Sequence, residues 1–463
     1  MHDFNAIQIQ ELKEKWKPVL EHPDQAEIKD PYRKAVTAVL LENTERATRE
    51  ENALGTQTMA ALNETNVAPT APDSGNLTYS DPVIISMIRR TMPNLMAYDL
   101  VGVQPMTGPT GLIFAMKSRY TNQTGTEALF DEADTTFSGT GTHAGTDPFA
   151  GSSLGVNAGG EAFVESATGS QTGAAGSTAA GEGLGKGVDQ GMGTNGHFNE
   201  MAFSIDRVSV TAKTRALKAE YTTELSQDLR AVHGLDAESE LSTILSTEIT
   251  AEINREVLRN LYDQAKLGCA AQTTNKGIFD LTTDADGRWS VENFKALMFQ
   301  IEKEANVIAK ETRRGKGNVI VCSSDVASAL AMSGLLDYNP QMDTALNVDD
   351  TGQTFAGVLN KKFKVYIDPY FSSAGAYDFA MVGYRGSSPF DAGYFYCPYV
   401  PMQMVRAVGE NTFQPKIGFK TRYGMVKNPF AGAARTPAAD GAFPTDGNQY
   451  YRLFRVDNIN SAA

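Results

Sequence analysis

The side chains best suited to chemistry are few in this sequence and poorly spaced for it. The five histidines, His2, His22, His143, His197 and His233, include no pair four residues apart and no His-Glu-x-x-His run. No helix face can therefore offer two adjacent imidazoles to a metal. His233 stands beside a helix-breaking glycine, where a hydrogen bond to a backbone carbonyl is the common role. The three cysteines, Cys269, Cys322 and Cys397, are odd in number and far apart, which argues against a zinc site or a disulfide framework. Free thiols in a reducing compartment are the expectation. The glycine-rich run 181–187 carries Lys186, but Ala180 stands where a phosphate-binding loop needs its first glycine, and Gly187 where it needs a hydroxyl. A serine-nucleophile elbow and a dinucleotide fingerprint are both absent. No catalytic, cofactor or metal site is expected, and a soluble cytosolic enzyme is retained as the alternative from another class.

Composition points the same way. The chain has 463 residues, 41% hydrophobic and 21% charged, which suits a soluble protein of about three domains. A net charge of −14 opposes nucleic-acid binding. The basic turn Arg313-Arg314-Gly315-Lys316-Gly317 reads as a solvated loop. The first residues mix acids and bases with no apolar core, unlike a secretory signal. No run of about 18 apolar residues occurs, so no membrane span is expected.

With no reactive centre to position, the elements must serve packing. Leu241, Leu245, Ile249, Ile253, Val257 and Leu261 recur at every fourth residue. A turn holds about 3.6 residues, so this row winds around its helix and meets different neighbours along its length. Asp236 is the expected N-cap, followed by acids in the first turn. Residues 1–54 predict two amphipathic helices, the first with Ile7, Ile9, Leu12 and Trp16 on one face and ended early by Pro18. Asp30-Pro31 predicts the start of the second, with Val36, Val39 and Leu40 as its stripe. Residues 55–81 form a linker rich in Ala, Thr, Asn and Pro, open to a protease. Residues 101–120 predict two strands about a turn at 107–111, and residues 203–210 predict a strand interrupted by a bulge. Between them, residues 121–196 are dominated by Gly, Ala, Ser and Thr and cannot fill a large core. Ser290 predicts a helix with Phe294, Leu297, Met298, Ile301, Ala305 and Ile308 buried. Strands at 318–322, 363–368, 379–384 and 394–408, with a helix capped by Ser324 or Asp325, make an α/β unit. Residues 416–425 predict a strand wet on one face, and the aromatics of 450–456 predict a terminal strand or a partner site.

Several of these stretches, namely residues 93–116, the run 217–257, residues 294–305, 365–370 and 418–424, closely resemble the major capsid proteins of T-even type tailed bacteriophages, in order along most of the chain. The resemblance implies an α+β, HK97-like capsid fold. It divides the chain into a removable N-terminal helical scaffolding segment (1–64), an N-terminal arm (65–100) and an extended loop with an inserted subdomain (101–202). A peripheral domain with the spine helix (203–289), an axial domain (290–406) and return strands with a tail (407–463) follow. It implies hexameric capsomers in a head shell around double-stranded DNA held without sequence-specific binding. Implied partners are a vertex protein, a portal, a scaffold core, a maturation protease and outer decoration proteins. In such proteins the protease cuts after glutamate in a hydrophobic-x-Glu context. Leu62-Asn63-Glu64, followed by Thr65, fits the pattern inside the linker; Ile9-Gln10-Glu11, Leu12-Lys13-Glu14 and Leu40-Leu41-Glu42 fit it inside helices. The acidic balance suits an inner wall that does not stick to DNA. The pentameric vertex protein of the same family is the alternative within it, and a cellular nanocompartment shell a more distant one.

Overall fold

The computed structural model of the chain describes residues 6–22, 28–60, 82–129, 133, 137–138, 154–156, 163–165, 199–270, 276–334 apart from 286 and 288, 336–338, 355–370, 377–409, 414–432 and 446–459. Two compact units are present, one of residues 1–113 with 207–463 and one of residues 114–206.

The larger unit begins with α1 (Ala6–Leu20) and α2 (Pro31–Ala60). Asp30 accepts the Tyr32 amide at 2.9 Å and Pro31 takes the first helical position, as the sequence predicts. Pro18 does not end α1, contrary to expectation; the helix runs through it to Leu20, because Trp16 and Leu20 are both buried and hold the last turn in place. Next come α3 (Pro82–Thr91), a 3₁₀ turn (Met92–Asn94) and α4 (Ala97–Leu100).

The strands at 101–120 are not a hairpin. The first, β1 (Gly102–Val103), pairs in parallel with a strand from the C-terminal third, and the second, β2 (Thr110–Tyr120), pairs with β5 (Met201–Thr211). The pair β2–β5 carries the chain into and out of the smaller unit. There β3 (Leu154–Val156) and β4 (Phe163–Glu165) form an antiparallel pair, and Tyr120 packs on Phe137 with ring centroids 4.6 Å apart. Phe114, Met116, Met201, Phe203 and Ile205 are exposed, while Val210, back in the larger unit, is buried.

Two sheets form the body of the larger unit. A four-stranded sheet has the order β1-β14-β15-β6, where β6 is Lys213–Glu220, β14 is Tyr394–Val408 and β15 is Pro415–Lys427. The other sheet contains β7 (Ala265–Leu267), β8 (Ile278–Asp280), β9 (Val319–Cys322), β10 (Leu336–Tyr338), β11 (Phe355–Leu359), β12 (Phe363–Ile367), β13 (Asp378–Gly383) and β16 (Asn448–Asp457). Its order is β10-β11-β12-β9-β13-β16-β7, with β8 also on β16. One assignment of the sequence reading changes here: residues 394–408 leave the α/β unit for the four-stranded sheet. The terminal strand expected at 450–456 is present, in the eight-stranded sheet between β13 and β7. Tyr450, Tyr451, Phe454 and Val456 are thereby buried.

Helix α5 (Thr223–Val232) precedes the spine α6 (Ala237–Gln264), with Gly234 at φ +68° turning the chain between them. Asp236 is the N-cap of α6 but makes no side-chain capping bond. Helix α7 (Ser290–Thr312) has Trp289, not Ser290, at its N-cap, and Phe294, Leu297, Met298, Ile301, Ala305 and Ile308 are all buried. Helix α8 (Ser324–Met332) starts after Ser323, one residue earlier than read, and the Ser323 hydroxyl donates to Asp378 at 2.7 Å instead of capping.

Candidate functional site

Among the described residues no group of three or more His, Cys, Asp or Glu side chains could hold a metal. Cys269, Cys322 and Cys397 are free and buried; burial pushes the Cys322 and Cys397 thiols up to about 12, so neither is poised as a nucleophile. What the structure does build is a seat for the N-terminal helices.

Helix α1 turns Trp16 and Leu20 inward, and α2 turns Val36, Ala38, Val39, Leu40 and Leu41 inward, each under 4% exposed. Each fully buried large side chain contributes about 1.5–3 kcal/mol, so the two stripes together give on the order of 10 kcal/mol before ordering entropy is subtracted. Either helix alone would be marginal in water. Lys15 ties them together, donating to Glu42 and Glu45 at 2.7 Å each, while the Trp16 indole N–H reaches Glu42 at 3.3 Å. Burial raises the Glu42 carboxyl, but the Lys15 hydrogen bond and charge outweigh it and leave it below its usual range.

Polar pins fix the seat to the body. The Asn43 amide donates to Met106 O at 2.8 Å and to Tyr399 O at 3.0 Å, joining α2 to the chain after β1 and to β14. The Tyr32 hydroxyl donates to Val103 O on β1. Arg89 on α3 donates to Val19 O at 2.6 Å and His22 O at 3.0 Å, closing the C-terminal end of α1. Arg33 donates to Pro93 O at 2.6 Å and to Asp99 at 2.9 Å, and lies 5.2 Å from the Tyr98 ring centroid. Asp99 also receives Lys364 at 3.0 Å. Burial opposes the Asp99 charge, but Arg33 and Lys364 hold its carboxyl below the usual range. Beneath the helices an apolar cavity of about 300 Å³ is lined by Val36 and Val39 on one side and by Met106, Ile113, Phe390 and Cys397 on the other. Gly102 lets β1 approach closely here; a Cβ on it would lie 2.6 Å from Pro389 O and 2.7 Å from the Phe395 ring.

The spine joins both sheets. Ile249, Ile253, Val257 and Leu261 are fully buried, Leu245 is partly buried against the core and Leu241 is half-buried. Glu252 and Glu256 receive Arg215 of β6 at 2.7 and 2.6 Å, and Tyr423 of β15 also donates to Glu256. Toward the eight-stranded sheet, Asp368 accepts Arg255 at 2.6 Å and the Tyr262 hydroxyl at 2.9 Å. Inside that sheet Arg452 is 4% exposed and pairs with Glu304 at 3.3 Å and Glu311 at 2.5 Å. Leu62, Glu64 and Thr65 lie outside the described residues. Sequence reasoning missed the polar pins: Arg33, Asn43, Arg89 and Asp99 are ordinary residues of their helices, and their partners lie between 60 and 356 positions away. Asp99, an acid within the otherwise apolar or aromatic run 95–103, was the one local signal.

Among the described residues the thiols are buried, a long helix joins two sheets and the N-terminal helices pack against the body. The chain belongs to the family of the major capsid protein Gp23, whose model matches residues 77–456. The major capsid protein of Salmonella phage ViI is 39% identical, over 97% of this chain and 98% of that protein. That of Enterobacteria phage T4 is 37% identical, over 93% and 94%. The capsid vertex protein of the same phage is 29% identical over 49% of this chain and 53% of its own. A solved capsid, that of Myoviridae phage XM1, aligns over 78% of this chain and 92% of its own at 10% identity and a TM-score of 0.36, too loose a likeness to add to the family match. Membership of a family of shell proteins sets the enzyme alternative aside.

Proposed function

We propose that many copies of this chain, as the major capsid protein, tile the head shell of a tailed phage as hexameric capsomers around double-stranded DNA. The family match across residues 77–456 carries this reading. It also favours the major protein over the vertex protein, since likeness to the vertex protein covers half the chain and likeness to major capsid proteins covers nearly all of it. The HK97-like division into peripheral and axial domains is in keeping with the two sheets that the spine joins. Outer decoration proteins, a portal and a scaffold core are partners proposed on family grounds, and copies per particle separate hexamer from vertex roles.

Residues 1–64 act, in this proposal, as a removable segment cut after Glu64. Two observations support it. The family model begins only at residue 77, and the preceding helices are held on the body by Trp16 and Leu20 of α1, by the buried run Val36 to Leu41 of α2 and by polar pins. Removal would uncover the seat and allow the shell to change its contacts. N-terminal sequencing of protein from purified heads tests this: the expected first residue is Thr65, and an intact Met1 contradicts it.

A further inference from the structure

The segment 92–100 is a junction. The Met96 amide donates to Asn254 of the spine at 3.1 Å, and Leu100 O accepts the Tyr451 hydroxyl of β16 at 2.7 Å. Between these two anchors sits Asp99, 7% exposed, with one oxygen on Arg33 of α2 and the other on Lys364 of β12. The N-terminal helices and the eight-stranded sheet thus share one nearly buried carboxylate. Asn43 and Tyr32, by contrast, reach backbone at β14, at β1 and just after β1.

We propose that Asp99 is a positioning residue that couples the seating of α2 to the packing of β12, so that each stabilises the other through their common counter-ion. When Arg33 is present, it holds one Asp99 oxygen while donating also to Pro93 O, and the second oxygen is on Lys364. When Arg33 departs, the carboxylate loses the better buried of its two cations, since the Arg33 side chain is 22% exposed and that of Lys364 is 53% exposed. Asp99 then keeps only Lys364 and the Tyr366 hydroxyl, both on β12, and the link from β12 to α2 is lost. Coupling of this kind is reciprocal: what loosens Lys364 must loosen α2 by the same factor. The consequence for maturation rests on the reading of residues 1–64 as a removable segment, in which case excision would be felt by the eight-stranded sheet through Asp99.

Amide hydrogen exchange on the full-length, uncleaved chain tests the coupling, and cleavage plays no part in the readout. Lys364→Gln, at a half-exposed position that tolerates replacement, should speed exchange in α2, and Arg33→Gln should speed it in β12, each about fivefold or more. The double variant should fall short of the product of the two single effects. The proposal is overturned if Lys364→Gln leaves α2 protection as it was, or if the double variant equals the product of the singles. Loss of the cleavage reading would leave these results standing, and loss of the coupling would leave Thr65 as the expected mature terminus.

Discussion

Replacing one spine residue with aspartate should have an effect set by its place along the winding row. Ile249 is 0% exposed within the main core, so Ile249→Asp removes a fully buried side chain worth about 2–3 kcal/mol. The new carboxyl has no partner there and is retained only by neutralising, at roughly another 1–3 kcal/mol. The total, about 5 kcal/mol, is comparable with the whole stability of many domains. Leu241 occupies the same row one turn into α6, where it is half-buried and the helix dipole favours an acid, so Leu241→Asp should cost within about 1 kcal/mol. Ile249→Val, the control, should cost about 1 kcal/mol. Thermal unfolding of purified chains and the yield of sedimentable particles read the series. Equal losses at 241 and 249, or normal particle yield from Ile249→Asp, would refute the spine assignment.

Three further outcomes are expected. Asn43→Ala leaves the carbonyls of Met106 and Tyr399 without their donor and should loosen α2 by about 1–3 kcal/mol, read as faster amide exchange in α2 with the spine unchanged. Arg452→Met leaves Glu304 buried without its cation and should cost about 3–5 kcal/mol in unfolding free energy, part of which Glu304→Gln in the same chain should restore. Asp99 and Glu42 have folded values below their ordinary 3.8 and 4.5, so their contribution is full above those values and is lost as pH falls through the depressed ones. Exchange in α1 and α2 should therefore show no carboxylate-linked loosening down to about pH 5 and should rise only below about pH 4.

The legible parts of this fold were those written in local periodicity. The spine, the buried face of α7 and the α2 start at Asp30-Pro31 depend on residues within a few turns of each other, and each is found where the pattern puts it. Pairing across the chain left no such mark. The partner of Gly102 is Phe395, and the neighbours of β16 begin with Asp378 and Ala265, so neither the false hairpin at 101–120 nor the place of the C-terminal strand could be read from nearby residues. Pro18 shows tertiary packing overriding a local rule, since the indole two residues before it and the leucine two after it are both in the core. The seat itself was half legible: the apolar stripes announced that the N-terminal helices need a partner surface, but not that Asn43, Arg33 and Arg89 would bind them to it.

Electron microscopy of the expressed, purified chain tests the central claim most directly. Closed shells, or six-membered rings that go on to form them, are the predicted result. A discrete dimer at every protein concentration, with no larger assembly, would contradict it.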